Sequence, residues 1–152
     1  DYGPEKHLGR TTILPGIQGA EYPALVSDVD ESYNELAGIR LPYLTVPVAT
    51  YTGWNLRHPD IGNPNLVIGI TGGLVGWTLP LPRTQAERIN TKDPRPSIEE
   101  LYIDKQGYLF QVKLAAESLI EEGYMLSEDL EVVIGLAESM YDFYTRDDLN
   151  DQ

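Results

Sequence analysis

The segment from Tyr51 to Arg57 brings together side chains that often meet in binding sites. Trp54 offers a large apolar face, Asn55 an amide that both donates and accepts hydrogen bonds, and Arg57 a planar cation. Such groups converge in ligand pockets, and they also serve as buried packing combined with an ion pair. Tyr51, Trp54, Asn55 and Arg57 are therefore candidate binding residues, with structural packing as the alternative that we favour.

The run from Gly69 to Gly73 has the spacing of a nucleophile elbow, G-x-S-x-G, with Thr71 where the serine would stand. An elbow needs a helix directly after it, and Gly76 and Pro80 leave little room for one. No serine of the chain stands in a G-x-S-x-G pattern. We expect a tight backbone turn in this run and assign no catalytic residue to the chain.

The chain has two histidines, and a Ser-His-Asp triad would have to use one of them. His58 stands in a sequence typical of a surface turn, and His7 lies in a glycine-flanked start. Two histidines so far apart also lack the spacing of metal ligands. We expect solvent or structural roles for both, no metal site and no cofactor.

A group of oxygen ligands at Asp28, Asp30, Asn34 and Glu35 superficially suggests a calcium loop. The EF-hand pattern needs a glycine at its centre, and that glycine is absent. The segment from Asp30 to Asn34 instead predicts a turn that joins two short strands into a hairpin.

The composition limits the classes of function. The chain has 152 residues with 24 acidic and 11 basic side chains, for a net charge of -13. This balance argues against electrostatic binding to nucleic acids and to anionic membranes, because both need clustered Lys and Arg. The absence of cysteine excludes disulfide scaffolds, thiolate metal sites and a cysteine nucleophile.

The charge divides the chain into two parts, residues 1–96 and 97–152. The first part holds 10 acidic and 8 basic residues and all 11 prolines, whereas the second holds 14 acidic and 3 basic residues. We expect the acidic pairs of the second part, such as Glu121 with Glu122 and Glu128 with Asp129, to be solvated rather than catalytic.

The second part predicts two to three helices. Ser97 and Glu100 fit a capping box, and Gly123 is placed to end a long helix as a left-handed cap. Ser127 predicts the start of the last helix, and the tail from Asp147 is expected to fray. The apolar residues fall on one face of each long helix. They are Tyr108, Leu109, Val112, Ala115, Ala116, Leu119 and Ile120, then Leu130, Val133, Ile134, Ala137, Met140, Tyr141 and Tyr144.

The first part predicts short strands broken by prolines. The candidate runs are Thr11–Leu14, Ala24–Val29, Leu36–Leu41 and Leu44–Tyr51. Because proline cannot donate to a sheet, we expect edge strands and draped segments. Two stretches without any charge, Leu41–Leu56 and Ile61–Pro82, contain too many prolines and glycines to cross a membrane, and we expect buried, irregular backbone there. The chain as a whole is expected to be α+β.

Four segments together resemble the C-terminal portion of the "alpha/beta hydrolase domain" proteins, an esterase-like group. They are Asn34–Pro42, Val46–Asn55, Pro82–Arg88 and Asp93–Glu100. The resemblance runs from about Ile13 to the last helix. Lys92 departs from the glycine usual in the family, and the turn at residues 31–33 is longer than the common one.

The resemblance implies that the serine nucleophile, the acid and the catalytic histidine lie upstream of the matched region. We therefore expect this chain to be part of a larger α/β-hydrolase fold. Residues 1–96 would pack on a hydrolase core carried by another segment or chain, which is the expected partner. The chain would cover or shape an active site that lies outside it, in a probable serine ester hydrolase.

The alternative from another functional class is a non-catalytic protein-interaction module. Its charge-free surfaces would then form an interface, and its acidic helices would keep it soluble. The start at Asp1 without methionine suggests processing or a longer protein. The absence of cysteine and the pI near 4.4 fit a periplasmic or secreted protein and leave the cytoplasm open.

Overall fold

A computed structural model of the chain describes residues 1–20, 25–56, 60, 67–68 and 76–146. Within these residues five α-helices and two antiparallel strand pairs give an α+β fold, as the sequence predicts. The strands are β1 Ala49–Thr52, β2 Asn55–Leu56, β3 Val67–Ile68 and β4 Trp77–Pro80. The helices are α1 Pro42–Thr45, α2 Gln85–Thr91, α3 Ile98–Tyr102, α4 Lys105–Glu121 and α5 Leu130–Thr145. Two short 3-10 helices span Lys6–Leu8 and Ser127–Asp129.

Side-chain caps fix the ends of the C-terminal helices. The Ser97 hydroxyl accepts from the Glu100 amide while the Glu100 carboxylate accepts from the Ser97 amide, so the predicted capping box at α3 is confirmed. Asp104 caps α4 by accepting from the Gly107 amide at 2.8 Å. Gly123, at a φ of +81°, follows α4 in the left-handed region that glycine tolerates best, as predicted.

The two long helices pack through the apolar faces that the sequence indicates. Helix α4 buries Tyr108, Val112, Ala116 and Leu119. Helix α5 buries Ala137 and sets Val133, Met140, Tyr141 and Tyr144 against the same core. The last helical segment begins at Ser127 as a 3-10 turn, and its α-helical part begins at Leu130. The predicted frayed tail from Asp147 to Gln152 lies outside the described residues.

The predicted strands of the first part are largely wrong. Thr11–Leu14 and Leu36–Leu41 are irregular, and the run from Leu44 begins inside helix α1, so that a strand forms only from Ala49. Ala24 lies outside the described residues, and the rest of its run contributes a single antiparallel bridge from Val29 to Glu35. The prolines that bound these runs remove ladder donors, which favours turns over strands.

The predicted turn from Asp30 to Asn34 is confirmed. One carboxylate oxygen of Asp30 accepts from the backbone amides of Ser32 and Asn34, at 2.9 and 3.0 Å. The other oxygen pairs with Arg40. Side-chain bonding to its own backbone is the usual way in which aspartate fixes a turn. The carboxylate is thus committed to the turn that joins Val29 to Glu35.

The first charge-free stretch is buried from Val46 to Thr50 as predicted but is more regular, whereas β4 in the second stretch is more exposed than predicted. Leu41–Leu56 contains α1, β1 and β2 rather than irregular backbone. In the described end of the second stretch, β4 is regular and all four of its residues are exposed, with Trp77 at 54% and Leu79 at 52%. Leu81 and Pro82, directly after β4, are buried, and residues 61–66 and 69–75 lie outside the described residues.

One hydrophobic core joins residues from both parts of the chain. Val46, Val48 and Leu81 pack with the buried side chains of α3, α4 and α5. The Tyr108 ring lies at the centre of this cluster, 5.1 Å from the Tyr102 ring and 5.2 Å from the Tyr141 ring between centroids. Burial raises the pKa of both Tyr102 and Tyr108, so both phenols are neutral at ordinary pH.

Two buried tyrosines of this core should respond oppositely to loss of the hydroxyl group. The Tyr102 hydroxyl donates to the Pro47 carbonyl oxygen at 2.8 Å, whereas the Tyr108 hydroxyl has no hydrogen-bond partner among the described residues. We expect Tyr102→Phe to lower the free energy of unfolding by about 1 kcal/mol. Tyr108→Phe should leave it unchanged or raise it, because a buried hydroxyl without a partner only costs desolvation. Urea denaturation of the two variants checks this, and equal losses in both would contradict it.

Candidate functional site

Strands β1 and β4 form a two-stranded ladder whose two faces differ. Thr50 lies opposite Leu79 and Thr52 opposite Trp77, so these four side chains share one face. Tyr51 lies opposite Thr78 on the other face. A Cβ at Gly76, just before β4, would come within 2.8 Å of the Thr52 carbonyl oxygen, so this close approach of the two backbones requires glycine.

A cavity of about 540 Å³ opens on the first face of the ladder. Its described lining carries no charged side chain and includes two tryptophans. The lining residues are Val29, Tyr33, Thr50, Thr52, Trp54, Trp77 and Leu79. The volume lies within the range of small-molecule sites, and an apolar lining with a few polar groups is typical of them. The cavity can therefore accept a neutral, apolar group.

The four candidate binding residues do not all meet in this cavity. Trp54 lines it, and the Trp54 indole nitrogen is buried without a hydrogen-bond partner among the described residues. Tyr51 faces a second cavity of about 490 Å³ on the opposite side of the ladder. Of Asn55, the structure describes the backbone, which pairs with Ile68. Arg57 lies outside the described residues.

Tyr51 belongs to a group of aromatic side chains that links the ladder to the helices. Its ring lies edge-on to Tyr43 with centroids 5.3 Å apart. Burial and the neighbouring Tyr144 phenol raise the pKa of Tyr51. Tyr51 therefore remains neutral at physiological pH and is suited to packing and hydrogen bonding rather than to proton abstraction.

The free edge of β1 is closed by the side chain of Asn34, which is fully buried. Its amide nitrogen donates to the Ala49 carbonyl oxygen at 3.1 Å, and its amide oxygen accepts from the Tyr51 amide at 2.8 Å. The side chain thus takes the place of a neighbouring strand. It satisfies two backbone groups that would otherwise be buried without partners.

The other edge of the site is held by Arg95, whose side chain is 5% exposed. Its Nη1 donates to the Thr50 hydroxyl at 2.9 Å and to the Leu79 carbonyl oxygen at 3.0 Å. Its Nη2 donates to the Pro80 carbonyl oxygen, and Nη2 and Nε form a two-bond fork with the Asp93 carboxylate. All five donors of the guanidinium are used, which is what a buried arginine requires. These bonds from Arg95 hold the pKa of Asp93 below its usual range.

Sequence reasoning assigned no positioning role to Asn34, Asp93 or Arg95. The sequence places Asn34 in a turn, in a rejected calcium loop and in a segment that carries the family resemblance, and it places Asp93 and Arg95 only in such a segment. A partial signal is the sequence Pro94-Arg95-Pro96, in which the two prolines restrict the backbone around a cation. Its partners on β1 and β4 could not be read from local spacing.

The other candidates for chemistry stand apart from the cavity. His7 is exposed, and its Nδ1 lies 3.1 Å from the Pro4 carbonyl oxygen. Thr71 and His58 lie outside the described residues. The acidic pairs at 121–122 and 128–129 are exposed, as predicted. Among the described residues no three of His, Cys, Asp or Glu are grouped as metal ligands, and no helix there has the length and hydrophobicity of a membrane span.

The match to known proteins covers the ladder, the cavity and the residues that hold them. Residues 11–134 match the family model of the alpha/beta hydrolase domain. The chain belongs to the alpha/beta hydrolase domain family. Searches of curated proteins and of solved structures find no match.

Membership of the alpha/beta hydrolase domain family connects the site to a hydrolase-like lineage. The matched residues include every described lining residue of the cavity, together with Asn34, Asp93 and Arg95. The match ends at Ile134, inside helix α5, so the last 11 of the 16 residues of that helix lie beyond it.

The Arg95 fork gives a prediction on the stability of this alpha/beta hydrolase domain chain. We expect Arg95→Lys to lower the free energy of unfolding by about 3 kcal/mol, because one ammonium cannot reproduce five buried hydrogen bonds. Arg10→Lys is the matched control, since Arg10 is exposed and pairs with Glu5 at 3.4 Å. Urea denaturation should show a control change within about 0.5 kcal/mol. Equal effects of the two substitutions would contradict the role of Arg95.

The lowered pKa of Asp93 gives a second prediction, on pH dependence. Between the folded pKa and the unfolded value near 4, the unfolded chain binds the extra proton, so stability rises with pH. This contribution is present above pH 4 and is lost as the pH falls through the folded pKa. Asp93→Asn should therefore be less stable than the original chain at pH 7, and the difference should shrink below pH 4. A difference that is constant from pH 7 to pH 3 would contradict this prediction.

Proposed function

We propose that this chain is the C-terminal part of an esterase-like hydrolase and that it covers or shapes the active site. The Ser-His-Asp residues would lie on another segment or chain. The observation that carries the proposal is the cavity on the β1–β4 ladder, whose described lining is uncharged and lies inside the region that matches the hydrolase family. The sequence itself supports it by lacking any G-x-S-x-G serine.

The exposure of the ladder supports a covering role. Trp77 and Leu79 stand half exposed on the cavity face, although large contiguous apolar surfaces are uncommon on isolated soluble proteins. Under the proposal the hydrolase core packs against residues 1–96 and closes the open side of the cavity. The acidic helices α3 to α5 would form the solvated layer behind it.

The cavity would bind the apolar part of an ester. Its described lining is neutral and suits an alkyl or aryl group, for which Trp54 offers an aromatic surface. Binding this remote group would hold the ester carbonyl near a nucleophile contributed by the core. Tyr51, Asn55 and Arg57 are proposed as further binding residues.

A serine-directed fluorophosphonate probe tests the proposal on the protein purified from its source with any accompanying segment or chain. We expect hydrolysis of p-nitrophenyl esters and labelling of a single serine outside residues 1–152. Peptide mapping by mass spectrometry locates the label. A label on Thr71 or on a serine of this chain would contradict the proposal. Absence of both labelling and hydrolysis would favour the non-catalytic interaction module.

The role of the cavity is tested by Trp54→Ala in the same active protein. We expect kcat/KM for p-nitrophenyl octanoate to fall about tenfold or more, whereas the value for p-nitrophenyl acetate changes little. The reason is that only the longer acyl chain reaches the apolar wall. Phe110→Ala, on the exposed side of α4, is the control and should affect neither ester. Equal losses on both esters would assign Trp54 a structural role instead.

A further inference from the structure

Helix α5 carries a second row of apolar residues beside the face that packs against the core. Val132, Leu136 and Phe143 are exposed at 68%, 57% and 46%. With Gly135 and Ser139 between them they follow the spacing of one helix face. These five residues are called the α5 stripe below. Because a singly exposed apolar residue is ordinary and an aligned row is not, the stripe requires an explanation.

The α5 stripe is shaped for close packing. The Ser139 hydroxyl donates back to the Gly135 carbonyl oxygen at 2.9 Å and therefore presents little polarity outward. No atom lies within 4 Å of the position that a Cβ would take at Gly135, so another backbone can approach there. The stripe spans about three turns, or about 16 Å along the helix axis.

The α5 stripe continues into an apolar groove between α5 and α1. The groove has a volume of about 150 Å³, and Leu136 belongs to both surfaces. Its other described lining residues are apolar or aromatic. They are Leu41, Pro42, Tyr43, Val112, Met125, Val133, Ala137 and Met140. The α5 stripe and the groove therefore form one apolar surface, in which the groove lies beside the exposed side chains of the stripe.

The charges beside the α5 stripe determine what can cover it. Acidic residues border it at Glu128, Glu131, Glu138 and Asp142. The nearby Lys105 is already bound to two of them, at 3.0 Å from Glu138 and 2.8 Å from Asp142. A second copy of this chain would bring the same carboxylates together, in a molecule whose net charge is -13. Like charges across an interface are unfavourable, so the occupant carries Lys or Arg.

We infer that the α5 stripe and its groove form a docking site for a basic amphipathic helix. A helix presents apolar anchors at the spacing of the stripe, and Lys or Arg on its flanks would meet the bordering carboxylates. The family match ends at Ile134 and so does not account for Leu136 or Phe143. The inference is independent of the proposed ester hydrolysis.

Three labelled 18-residue helical peptides test this inference on the full chain by fluorescence anisotropy. A Leu/Lys amphipathic peptide should bind one to one, and higher salt should weaken it. An Ala/Lys peptide of equal charge should bind at least about tenfold more weakly, because it lacks the apolar anchors. A Leu/Glu peptide should not bind. Equal binding of the Leu/Lys and Ala/Lys peptides would overturn the inference, because binding would then depend on charge alone. The inference would also be overturned if the Leu/Lys peptide did not bind.

Variants of the chain locate the binding. We expect two double variants to weaken binding of the Leu/Lys peptide at least about tenfold, with unchanged circular dichroism. They are Val132→Ser/Leu136→Ser and Leu136→Ser/Phe143→Ser. Phe110→Ser/Leu114→Ser removes an exposed apolar pair from α4 and is the matched control, expected within about twofold of the original chain. A control loss as large as that of the stripe variants would overturn the inference. So would a dimer in sedimentation equilibrium that the stripe variants dissociate, because the occupant would then be a second copy.

Discussion

A buried cation with all its donors satisfied is the constraint on which the ladder and its cavity depend. Burying the guanidinium of Arg95 costs several kcal/mol unless it is paired and hydrogen-bonded, and its partners come from three places in the chain. Asp93 supplies the charge, β4 supplies two carbonyl oxygens, and Thr50 supplies a hydroxyl. Because that hydroxyl also donates to the Ser32 carbonyl oxygen, the network extends to the turn that places Asn34 on the free edge of β1. A two-stranded ladder, which is marginal alone, is thus fixed on both sides by side chains.

The helical part could be predicted from the sequence because its determinants are local. Ser97 and Glu100 are three residues apart, and Gly123 acts on the turn directly before it. The apolar faces of α4 and α5 follow the helical period, and their burial matches it. Only the start of α5 differs from the prediction, because Ser127 begins a 3-10 turn and the α-helix begins at Leu130.

The ladder and the cavity could be predicted only in part, because their determinants are far apart in the chain. Thr50 and Arg95 are 45 residues apart, and no local pattern pairs them. The β-type composition of Thr11–Leu14 and Leu36–Leu41 predicted strands that lack a partner, and isolated extended segments gain little from β-propensity alone. Trp54 was identified as a candidate from its residue type. Tyr51 faces the side of the ladder opposite the cavity, because successive side chains along β1 point to alternate faces.

The distribution of charge separates two apolar surfaces that have different requirements. The cavity face of β4 bears no charge, so any neutral apolar surface or group can cover it, and affinity there depends on shape. The α5 stripe has an acidic border, so an apolar partner without basic residues would desolvate carboxylates with no compensation. The two surfaces therefore select different partners, even though one core of buried side chains connects the elements that carry them. The net charge of -13 has a specific consequence on this basis. Because the acidic residues lie on the helices, the cavity face of β4 stays neutral. The same acidic residues favour basic partners for α5 and oppose self-association through that helix.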